Sequence, residues 1–457
     1  MRHIAVIDIG KTNAKILSVD LATGDEITVA RRANAVLRGG LYPHYDAEGL
    51  WTFVLDGLRS LAATQRVDAI SITTHGASAA LVDAAGGLAL PILDYEHSGP
   101  EDLAAEYDAL RPDFAETGSP RLPGGLNLGA QLFWQARGFP EGFARTCHIL
   151  MYPQYWSFRL SGVAASEPTS LGCHTDLWNP WAGDFSALVG RMGWRGLFPP
   201  VRSAATVLGP ILPAVAAATG LPGDTPVISG IHDSNASLVP HLQDAGPRAV
   251  LSTGTWMIVM ALGGGRASLD RARDLLVNVN ARGEPVPTAR YMAGREFDVL
   301  TAGRIVVPDE ATLHAVLQRG VMAMPSLHPQ TGPFPGLRFA WLGQPATDAE
   351  RTAAASFYAA LMGAECLALI GADGLAIVEG PFGGNQAFAR MLATATGRPV
   401  QAAGQGAGTG LGAALLAGPL AHPRRHRAPI RPETGPLWRG YLEQWRAEVA
   451  RRWQDRG

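Results

Sequence analysis

The stretch "RHIAVIDIGKTNAKILSVD" (residues 2–20) decides the fold of the N-terminal half of the chain. Its apolar and β-branched residues predict two strands, and "GKTN" between them predicts the turn of a hairpin. Gly10 permits an unusual backbone angle, while Thr12 and Asn13 supply hydrogen-bonding groups. A tight turn of this kind points several backbone N–H groups and hydroxyls in one direction, which forms a cradle for an anion. Many hairpins carry Gly and Thr, so one such turn is weak evidence for a phosphate site.

The same pattern restarts about 240 residues later, in "PRAVLSTGTWMIVMAL" (residues 247–262). An apolar strand is again followed by a Ser/Thr/Gly loop, with Thr253, Gly254 and Thr255, and by a second apolar strand. Strands and helices alternate after each unit. The sequence therefore predicts an α/β protein of two related domains, residues 1–243 and 244–457. Two phosphate cradles, one in each domain, indicate a nucleotide held across an interdomain cleft.

Composition excludes several classes of function. The 457-residue chain is 47% apolar and 17% charged, and its formal net charge is -2. This balance gives no support for a nucleic-acid partner. The sequence has no signal-peptide pattern and no apolar run near the roughly 18 residues of a membrane span. Three scattered cysteines without metal-ligand spacing are typical of buried thiols in a reducing compartment. We expect a cytoplasmic protein without a nucleic-acid or membrane partner.

Lysine is confined to one loop. Of the 38 basic residues only Lys11 and Lys15 are lysines, and both lie in "DIGKTNAK" (residues 8–15). The ammonium group is a compact point charge that suits phosphate. Asp8, at the end of the first strand, puts a carboxylate where Mg²⁺ would need one, although an ordinary turn residue explains it equally well in isolation. No P-loop is present and no GxGxxG follows the first strand, so an ATP site here must be of another kind.

Two further glycine-rich turns lead into predicted helices, "GPFGGN" (residues 380–385) and "AAGQGAGTGLGAALLAG" (residues 402–418). Helix N-termini and bare backbone suit an adenosine or a phosphate that lies close against them. Close packing of helix against strand is the alternative explanation, and for either turn alone it is the favoured one.

Asp233 lies in "VISGIHDSNASL" (residues 227–238), where a short strand gives way to a predicted helix. Its residue type favours the N-cap of that helix. Phosphoryl transfer to a hydroxyl also needs a carboxylate that orients the attacking oxygen and accepts its proton, at the end of an element and beside other polar groups. His232 and Ser234 flank Asp233 and could grip a polyol. Asp233 is therefore a candidate for both roles.

In combination these segments resemble the FGGY carbohydrate kinases of the actin-like ATPase superfamily. "DIGKTNAK" is similar to the first phosphate loop of that family and "LSTGTW" (residues 251–256) to the second. "SGIHDSNAS" (residues 229–237) resembles the catalytic stretch, in the form found in L-fuculokinases and L-rhamnulokinases. "SITTHGASAALVDAAGGLALPIL" (residues 71–93) resembles the sugar-contacting loop and strand. The order and spacing of these motifs over nearly the whole chain are specific. The resemblance implies two actin-like (ribonuclease H-like) α/β domains.

The resemblance also implies a role for each matching residue. Asp233 is implied as the general base and, with Asp8, as a ligand of Mg²⁺. The residues implied around ATP are Asp8, Gly10, Lys11, Thr12, Asn13 and Lys15, then Thr253, Gly254 and Thr255, and then Gly383, Gly384, Asn385, Gly406 and Gly408. The residues implied at the sugar are His75, Gly76, His232 and Ser234.

The chain departs from the family pattern mainly on the sugar side. "LDYEHSGP" (residues 93–100) stands where many members carry Asp/Arg or a basic segment. "AGREFD" (residues 293–298), with Arg295 and Glu296, stands where some relatives have an Asn that touches the sugar. The nucleotide turn reads "PFGGN", where the family often has three glycines. The differences bear on which sugar is bound more than on the type of reaction.

The implied activity is ATP- and Mg²⁺-dependent phosphorylation of a hydroxyl of a small sugar, such as L-fuculose, L-rhamnulose or a related ketose or polyol. Two alternatives stay open. One is a catalytically silent sugar- or nucleotide-binding regulator on the same fold, which an altered base or a broken phosphate loop would favour. The other is a kinase of a different acceptor, such as xylulose, glycerol or a carboxylate. The sequence names neither the sugar nor the hydroxyl, gives Arg295 and Glu296 no role, and leaves a homodimer open.

Overall fold

The computed structural model describes residues 1–263, 269–403, 408–422 and 428–456. The chain divides into two compact units. The first unit is Met1–Asp244 with Val277–Pro285 and Gly406–Arg424, and the second is Ala245–Leu276 with Val286–Gln405 and Arg425–Gly457.

The first 244 residues contain short strands and helices around one large sheet. The strands are β1 His3–Ile9, β2 Asn13–Asp20, β3 Asp25–Ala33, β4 Val36–Leu37, β5 His44–Tyr45, β6 Ala69–Thr74, β7 Ala79–Val82, β8 Leu88–Leu90, β9 His148–Met151, β10 Trp178–Asn179, β11 Asp184–Phe185, β12 Val207–Pro210, β13 Pro226–Ile228 and β14 Ile231–His232. The helices are α1 Ala47–Ala62, α2 Ala104–Asp108, α3 Phe114–Thr117, α4 Leu128–Gly138, α5 Pro140–Ala144, α6 Tyr152–Ser161, α7 Pro168–Leu171, α8 Ala187–Arg191, α9 Pro213–Thr219 and α10 Asp233–Ala236.

The large sheet of the first unit has the strand order β12-β13-β6-β1-β2-β3, and β14 also pairs with β6. Strands β1, β2 and β3 form an antiparallel meander, while β6 runs parallel to β1 and to β13. Alternate residues of β1 enter two different apolar clusters, Ala5 and Ile7 in one and Ile4 and Val6 in the other. Because successive side chains of a strand point to opposite faces, the sheet is buried on both faces.

From residue 245 onward the chain adds a second set of elements. The strands are β15 Arg248–Thr253, β16 Met257–Leu262, β17 Leu275–Val279, β18 Pro285–Tyr291, β19 Met322–Met324, β20 Ala340–Leu342, β21 Leu375–Glu379 and β22 Val400–Ala402. The helices are α11 Ala293–Thr301, α12 Glu310–Arg319, α13 Asp348–Leu369, α14 Gln386–Thr396, α15 Thr409–Ala414 and α16 Pro436–Gln454.

The sheet of the second unit repeats the pattern of the first. Its order is β17-β18-β16-β15-β21-β22, with β15, β16 and β18 antiparallel and with β21 parallel to both β15 and β22. The order β13-β6-β1-β2-β3 corresponds to β22-β21-β15-β16-β18, so the predicted α/β fold class with two sheets of related design is confirmed. In both units the first two strands form the predicted hairpin.

Two segments of the C-terminal half pack in the first unit. Helix α15 carries Leu411 into the apolar cluster of Ile4 and Val6. A Cβ on Gly412 would lie 1.8 Å from the carbonyl oxygen of Ala236, so only glycine fits there. In the other segment, the N–H of Val277 donates to the carbonyl of Gly118 at 2.9 Å.

Helix α13 is the central helix of the second unit. Its 22 residues are long and apolar enough to meet a length and composition criterion for a membrane span, but 83% of the qualifying window is buried inside the protein. Phe357 and Tyr358 of this helix belong to the main apolar cluster of the second unit. Helix α13 is therefore a buried core helix of the second unit.

Candidate active site

Three neighbouring strands of the first unit bring Asp8 and Asp233 to the same edge of the sheet. Asp8 of β1 lies opposite Thr73 of β6, and Thr73 lies opposite Ile231 of β14. These strands are parallel, so their carboxyl ends meet at one edge, which is where ligands bind in open α/β sheets. Asp233 follows directly after β14, and the two carboxylates are close enough that the charge of Asp233 raises the pKa of Asp8.

Asp8 is a buried carboxylate with a cation beside it. Its side chain is 10% exposed, and Lys15 Nζ lies 3.6 Å from Asp8 Oδ2. The hydroxyl of Thr409 in α15 lies 3.5 Å from the same oxygen. Burial raises the pKa of Asp8, and Lys15 partly offsets that rise. Glu26 of β3 lies near both groups, and burial raises the pKa of its carboxyl as well.

Asp233 is the first residue of the short helix α10, and His232 occupies the N-cap position without a side-chain capping bond. The prediction that Asp233 is the N-cap is therefore wrong, because the helix begins one residue earlier than expected. The Asp233 carboxylate accepts the N–H of Ser234 at 2.6 Å. Its side chain is 28% exposed, and burial raises its pKa, which the nearby His75 partly offsets.

His232 is buried next to the carboxylate that it precedes. Its Nε2 lies 3.2 Å from Asp233 Oδ1 and 3.6 Å from Cys173 Sγ. Its Nδ1 lies 3.0 Å from Asn235 Nδ2. Burial lowers the pKa of His232 to about 4, so the ring is neutral near pH 7. Gly76 is required here, since a Cβ at that position would lie 2.8 Å from His232 Nε2.

His75 presents an unused acceptor. It follows β6, and its Nδ1 lies 2.8 Å from the carbonyl of Gly76, so Nδ1 carries the proton and donates it. Burial lowers the pKa of His75 to about 4, which leaves Nε2 unprotonated near pH 7. Within the described part of the chain, this buried Nε2 has no hydrogen-bond partner. A buried acceptor without a partner is costly unless a ligand satisfies it.

Lys11 is engaged by a different group of residues from Lys15. Its ammonium forms an ion pair with Asp94, lies 3.4 Å from Glu96 Oε2, and donates to Tyr45 Oη at 3.4 Å. It also lies 4.6 Å from the ring centre of Tyr95. The two lysines of "DIGKTNAK" therefore make contacts with two separate sets of side chains.

The remaining predicted residues of the first unit lie around these groups. The N–H of Gly10 donates to the carbonyl of Asn13 at 2.9 Å. The backbone of Gly10 lies outside the left-handed region. The side-chain amide of Asn13 donates to Thr12 Oγ1 and accepts from Arg31 Nε. Thr12 and Ser234 are exposed. Gly408 is the N-cap of α15, and Gly406 lies outside the described residues.

The second hairpin turn divides into a buried and an open part. The hydroxyl of Thr253 donates to the carbonyl of Glu379 and accepts the N–H of Phe382, so it holds the turn against the glycine segment. Gly254 and Thr255 are exposed. A Cβ on Gly294 would lie 2.1 Å from the carbonyl oxygen of Gly254, so glycine allows α11 to approach the turn.

A pocket of about 870 Å³ lies in the second unit beside that turn. Gly254 and Thr255 line it together with Gly384 and Asn385, so four of the predicted nucleotide residues share this pocket. Gly383 is absent from its lining. Asn385 caps α14 through the N–H of Phe388 and bonds to Ser356 Oγ at 2.9 Å, which fixes its side chain in the wall.

Sequence reasoning missed several residues of these sites. The pocket is also lined by Arg295, Phe297, Ile305, Val307, Pro308 and Arg390. Ile305 and Val307 are 59% and 87% exposed. Their signal in the sequence was an apolar run beside polar neighbours, which could have indicated a binding surface. Glu26 had no comparable signal, because only the tertiary fold brings its carboxyl close enough to feel the charges of Lys15 and Asp8.

Two α/β units whose sheets share five strands in the same order, each with a Gly/Thr hairpin turn after its first strand, are typical of the actin-like class of proteins. Residues 3–240 match the N-terminal domain of the FGGY family of carbohydrate kinases, and residues 245–426 match the C-terminal domain of carbohydrate kinase FGGY. The chain belongs to the FGGY family of carbohydrate kinases. The predicted family and fold class are confirmed.

Among curated relatives, the chain is 28% identical over 270 residues to L-fuculokinase of Salmonella typhi, covering 57% of each protein. It is 24% identical over 277 residues to rhamnulokinase of Enterobacter sp. (strain 638), covering 57% of this chain and 53% of that protein. The chain thus spans little more than half the length of these relatives. A solved carbohydrate kinase from Novosphingobium aromaticivorans is 39% identical, with a TM-score of 0.90 over 98% of this chain and 99% of that one.

Proposed function

We propose that the chain catalyses ATP-dependent phosphorylation of a hydroxyl of a small sugar or polyol, with a ketose such as L-fuculose or L-rhamnulose as the leading candidate. The observation that carries the proposal is the pairing of two groups at one edge of the sheet. Asp233 offers a carboxylate whose pKa is raised, and His75 beside it offers a buried acceptor without a partner. A hydroxyl between them would have both a base and an orienting acceptor.

Asp233 acts in this proposal as the general base. It orients the attacking hydroxyl and takes its proton as the new O–P bond forms and ADP leaves. A raised pKa brings the carboxylate closer to the operating pH, the range in which a general base works best. Ser234 is exposed next to it and holds Asp233 through its N–H. The neutral His75 accepts a second hydroxyl bond at Nε2, which fixes the sugar relative to Asp233.

Asp8 and Asp233 fit a Mg²⁺ ion by the chemistry of their donor atoms. Carboxylate oxygens are the protein ligands that Mg²⁺ prefers, and it is usually held by one or two of them with phosphates and water. The described residues contain no group of three His, Cys, Asp or Glu that could form a dedicated metal cage, which agrees with that mode. When bound, the ion supplies positive charge for the phosphates. Lys15, 36% exposed and paired with Asp8, adds a second cation.

The pocket of the second unit suits the adenosine part of ATP. Phe297, Ile305 and Val307 offer apolar surface to a purine ring, while Thr255 and Arg295 offer polar groups at its border. The family resemblance of the two glycine turns supports the same use. Mg²⁺, the cytoplasmic location and a homodimer stay predictions.

Release of ADP against a panel of ketoses, aldoses and polyols tests the proposal. We expect sugar-dependent ADP release from the wild-type protein and a loss of about 10³-fold or more in Asp233→Asn. Asp102→Asn is the matched control, because Asp102 is an exposed carboxylate on a surface helix turn. Sugar binding without any sugar-dependent ADP release would favour the silent regulator and contradict the kinase.

A further inference from the structure

We propose that Lys11, Asp94 and Glu96 form an acceptor-side specificity cluster that selects an uncharged polyhydroxy acceptor and rejects a sugar acid. This inference rests on the proposed kinase function and deepens it. It also moves Lys11 from the phosphates, where the family resemblance puts it, to the sugar.

Lys11 is already engaged by groups of this chain. An ammonium group has three N–H donors and no acceptor. In this structure Lys11 Nζ donates to Asp94 Oδ1 and to Tyr45 Oη, and Glu96 Oε2 lies 3.4 Å away as a second ion-pair partner. Asp94 Oδ1 in turn accepts from Tyr45 Oη at 3.3 Å and from the N–H of Glu96 at 3.2 Å. Two carboxylates of this chain therefore already balance the charge of Lys11, which leaves Lys11 poorly suited to attract a phosphate oxygen or the carboxylate of a substrate.

The cluster lies on the acceptor side of the site. Tyr45 and Tyr95, which contact Lys11, also surround His75, with ring centres 5.1 Å and 5.4 Å from the imidazole. The charge of Asp233 acts on both Tyr95 and His75: burial raises the pKa of Tyr95 and Asp233 adds to that rise, whereas burial lowers the pKa of His75 and Asp233 partly offsets that fall. Groups that contact His75 and feel the charge of Asp233 are placed to contact a hydroxyl compound held between those two residues.

The charge of the cluster decides which acceptor it favours. One ammonium and two carboxylates leave an excess of one negative charge, and Asp233 adds another in the same region. A substrate carboxylate would meet like charge and be repelled. A hydroxyl can instead donate to Glu96, whose side chain is 66% exposed. "LDYEHSGP", the segment that departs from the family pattern, thus supplies the two anions.

A matched pair of acceptors tests the selection. We expect kcat/KM for a neutral ketose or alditol to exceed that for the aldonic acid of the same carbon number by at least about 100-fold. An aldonic acid used as well as its neutral partner would overturn the inference and leave the kinase proposal standing. Absence of ADP release with every acceptor would overturn the kinase proposal, and this inference with it.

Variants of the cluster separate the two placements of Lys11. Glu96→Gln removes one exposed charge and should reduce the discrimination against the aldonic acid by about tenfold, whereas the control Asp102→Asn should leave it unchanged. The double variant Lys11→Met/Asp94→Asn removes a cation and an anion together, so it avoids an unpaired buried charge. We expect this double variant to raise KM for the sugar and to leave KM for ATP within about twofold of the wild-type value. Lys15→Met should instead raise KM for ATP and leave KM for the sugar within about twofold. A raised KM for ATP in the double variant, or unchanged discrimination in Glu96→Gln, would refute the cluster.

Discussion

His232 Nε2 lies 3.2 Å from Oδ1 of Asp233, the next residue in the chain. Nδ1 of the same ring lies 3.0 Å from the side-chain amide of Asn235. Since the ring is neutral near pH 7, an N–H donated by Asn235 to Nδ1 leaves the ring proton on Nε2. The hydrogen-bond partner of that proton is Cys173 Sγ at 3.6 Å, and the Asp233 carboxylate lies alongside the ring. His232 is therefore a polar but uncharged neighbour of Asp233, and Asn235 fixes the tautomer of its ring.

Replacement of His232 should shift the pH dependence of the reaction. In His232→Leu an apolar side chain replaces a polar ring beside the Asp233 carboxylate and deepens the desolvation that raises its pKa, so that pKa should rise further. The acid limb of the kcat/KM profile should move to higher pH with it, because Asp233 must be ionised to accept a proton. His232→Gln retains a polar side chain and should shift the limb less. Superimposable profiles for the wild-type protein and His232→Leu would contradict this role.

Asp233→Asn should stabilise the protein while it abolishes activity. The folded-state pKa of Asp233 is raised above its unfolded value by burial. The folded state therefore binds the proton more tightly, and the stability linked to this group is fully present below the unfolded pKa and lost as pH rises through the folded pKa. Removing the charge should raise Tm at neutral pH by about 2–4 °C, and the gap should narrow in acid. Thermal unfolding at several pH values measures this difference in Tm. A lower Tm for Asp233→Asn than for the wild-type protein at neutral pH would contradict the prediction.

The parts of this site that the sequence predicts are the local ones. The hairpins β1–β2 and β15–β16 follow from apolar strands on either side of a Gly/Thr turn, which is a short-range signal. The restart of that pattern is enough to predict two related sheets. Asp233 was identified from its own neighbours, although its place in the helix was off by one residue.

The parts that the sequence does not predict depend on long-range pairing. The alignment of β14 with β6 sets His232 opposite Thr74, and no local pattern encodes it. The contact of Lys11 with Asp94 joins residues 83 positions apart. Burial of α15 against the first sheet likewise depends on packing of Leu411, whereas glycine spacing in that segment only indicated a turn. Which charges meet is decided by the tertiary fold, and so is the specificity of the site.

The pocket of the second unit should respond to a change at its exposed apolar rim. Val307→Asp puts a carboxylate at a side chain that is 87% exposed, so folding should be affected by less than about 0.5 kcal/mol. A negative charge beside the adenosine of ATP should raise KM for ATP by about tenfold and leave KM for the sugar unchanged. Val163→Asp, at an exposed valine of the first unit, is the matched control. An unchanged KM for ATP in Val307→Asp would place the adenosine elsewhere.

Arg295 and Glu296 are neighbours in sequence, but we expect different roles for them. Arg295 should contribute to ATP binding, and Glu296 should contribute to the stability of the fold. Glu296 is 1% exposed, and its carboxylate accepts from Tyr358 Oη at 2.7 Å and from the N–H of His328 at 3.3 Å.

Glu296→Ala leaves both donors buried without a partner, so the free energy of unfolding should fall by about 3 kcal/mol. KM for ATP should stay unchanged in the folded fraction. Arg295 lines the pocket. Arg295→Met should therefore raise KM for ATP severalfold and leave Tm unchanged. Glu296→Gln, which keeps one acceptor, should lie between Glu296→Ala and the wild-type protein in Tm. Chemical denaturation and initial rates measure the four proteins together. A loss of activity in folded Glu296→Gln, without a change in stability, would show that Glu296 acts on the substrate.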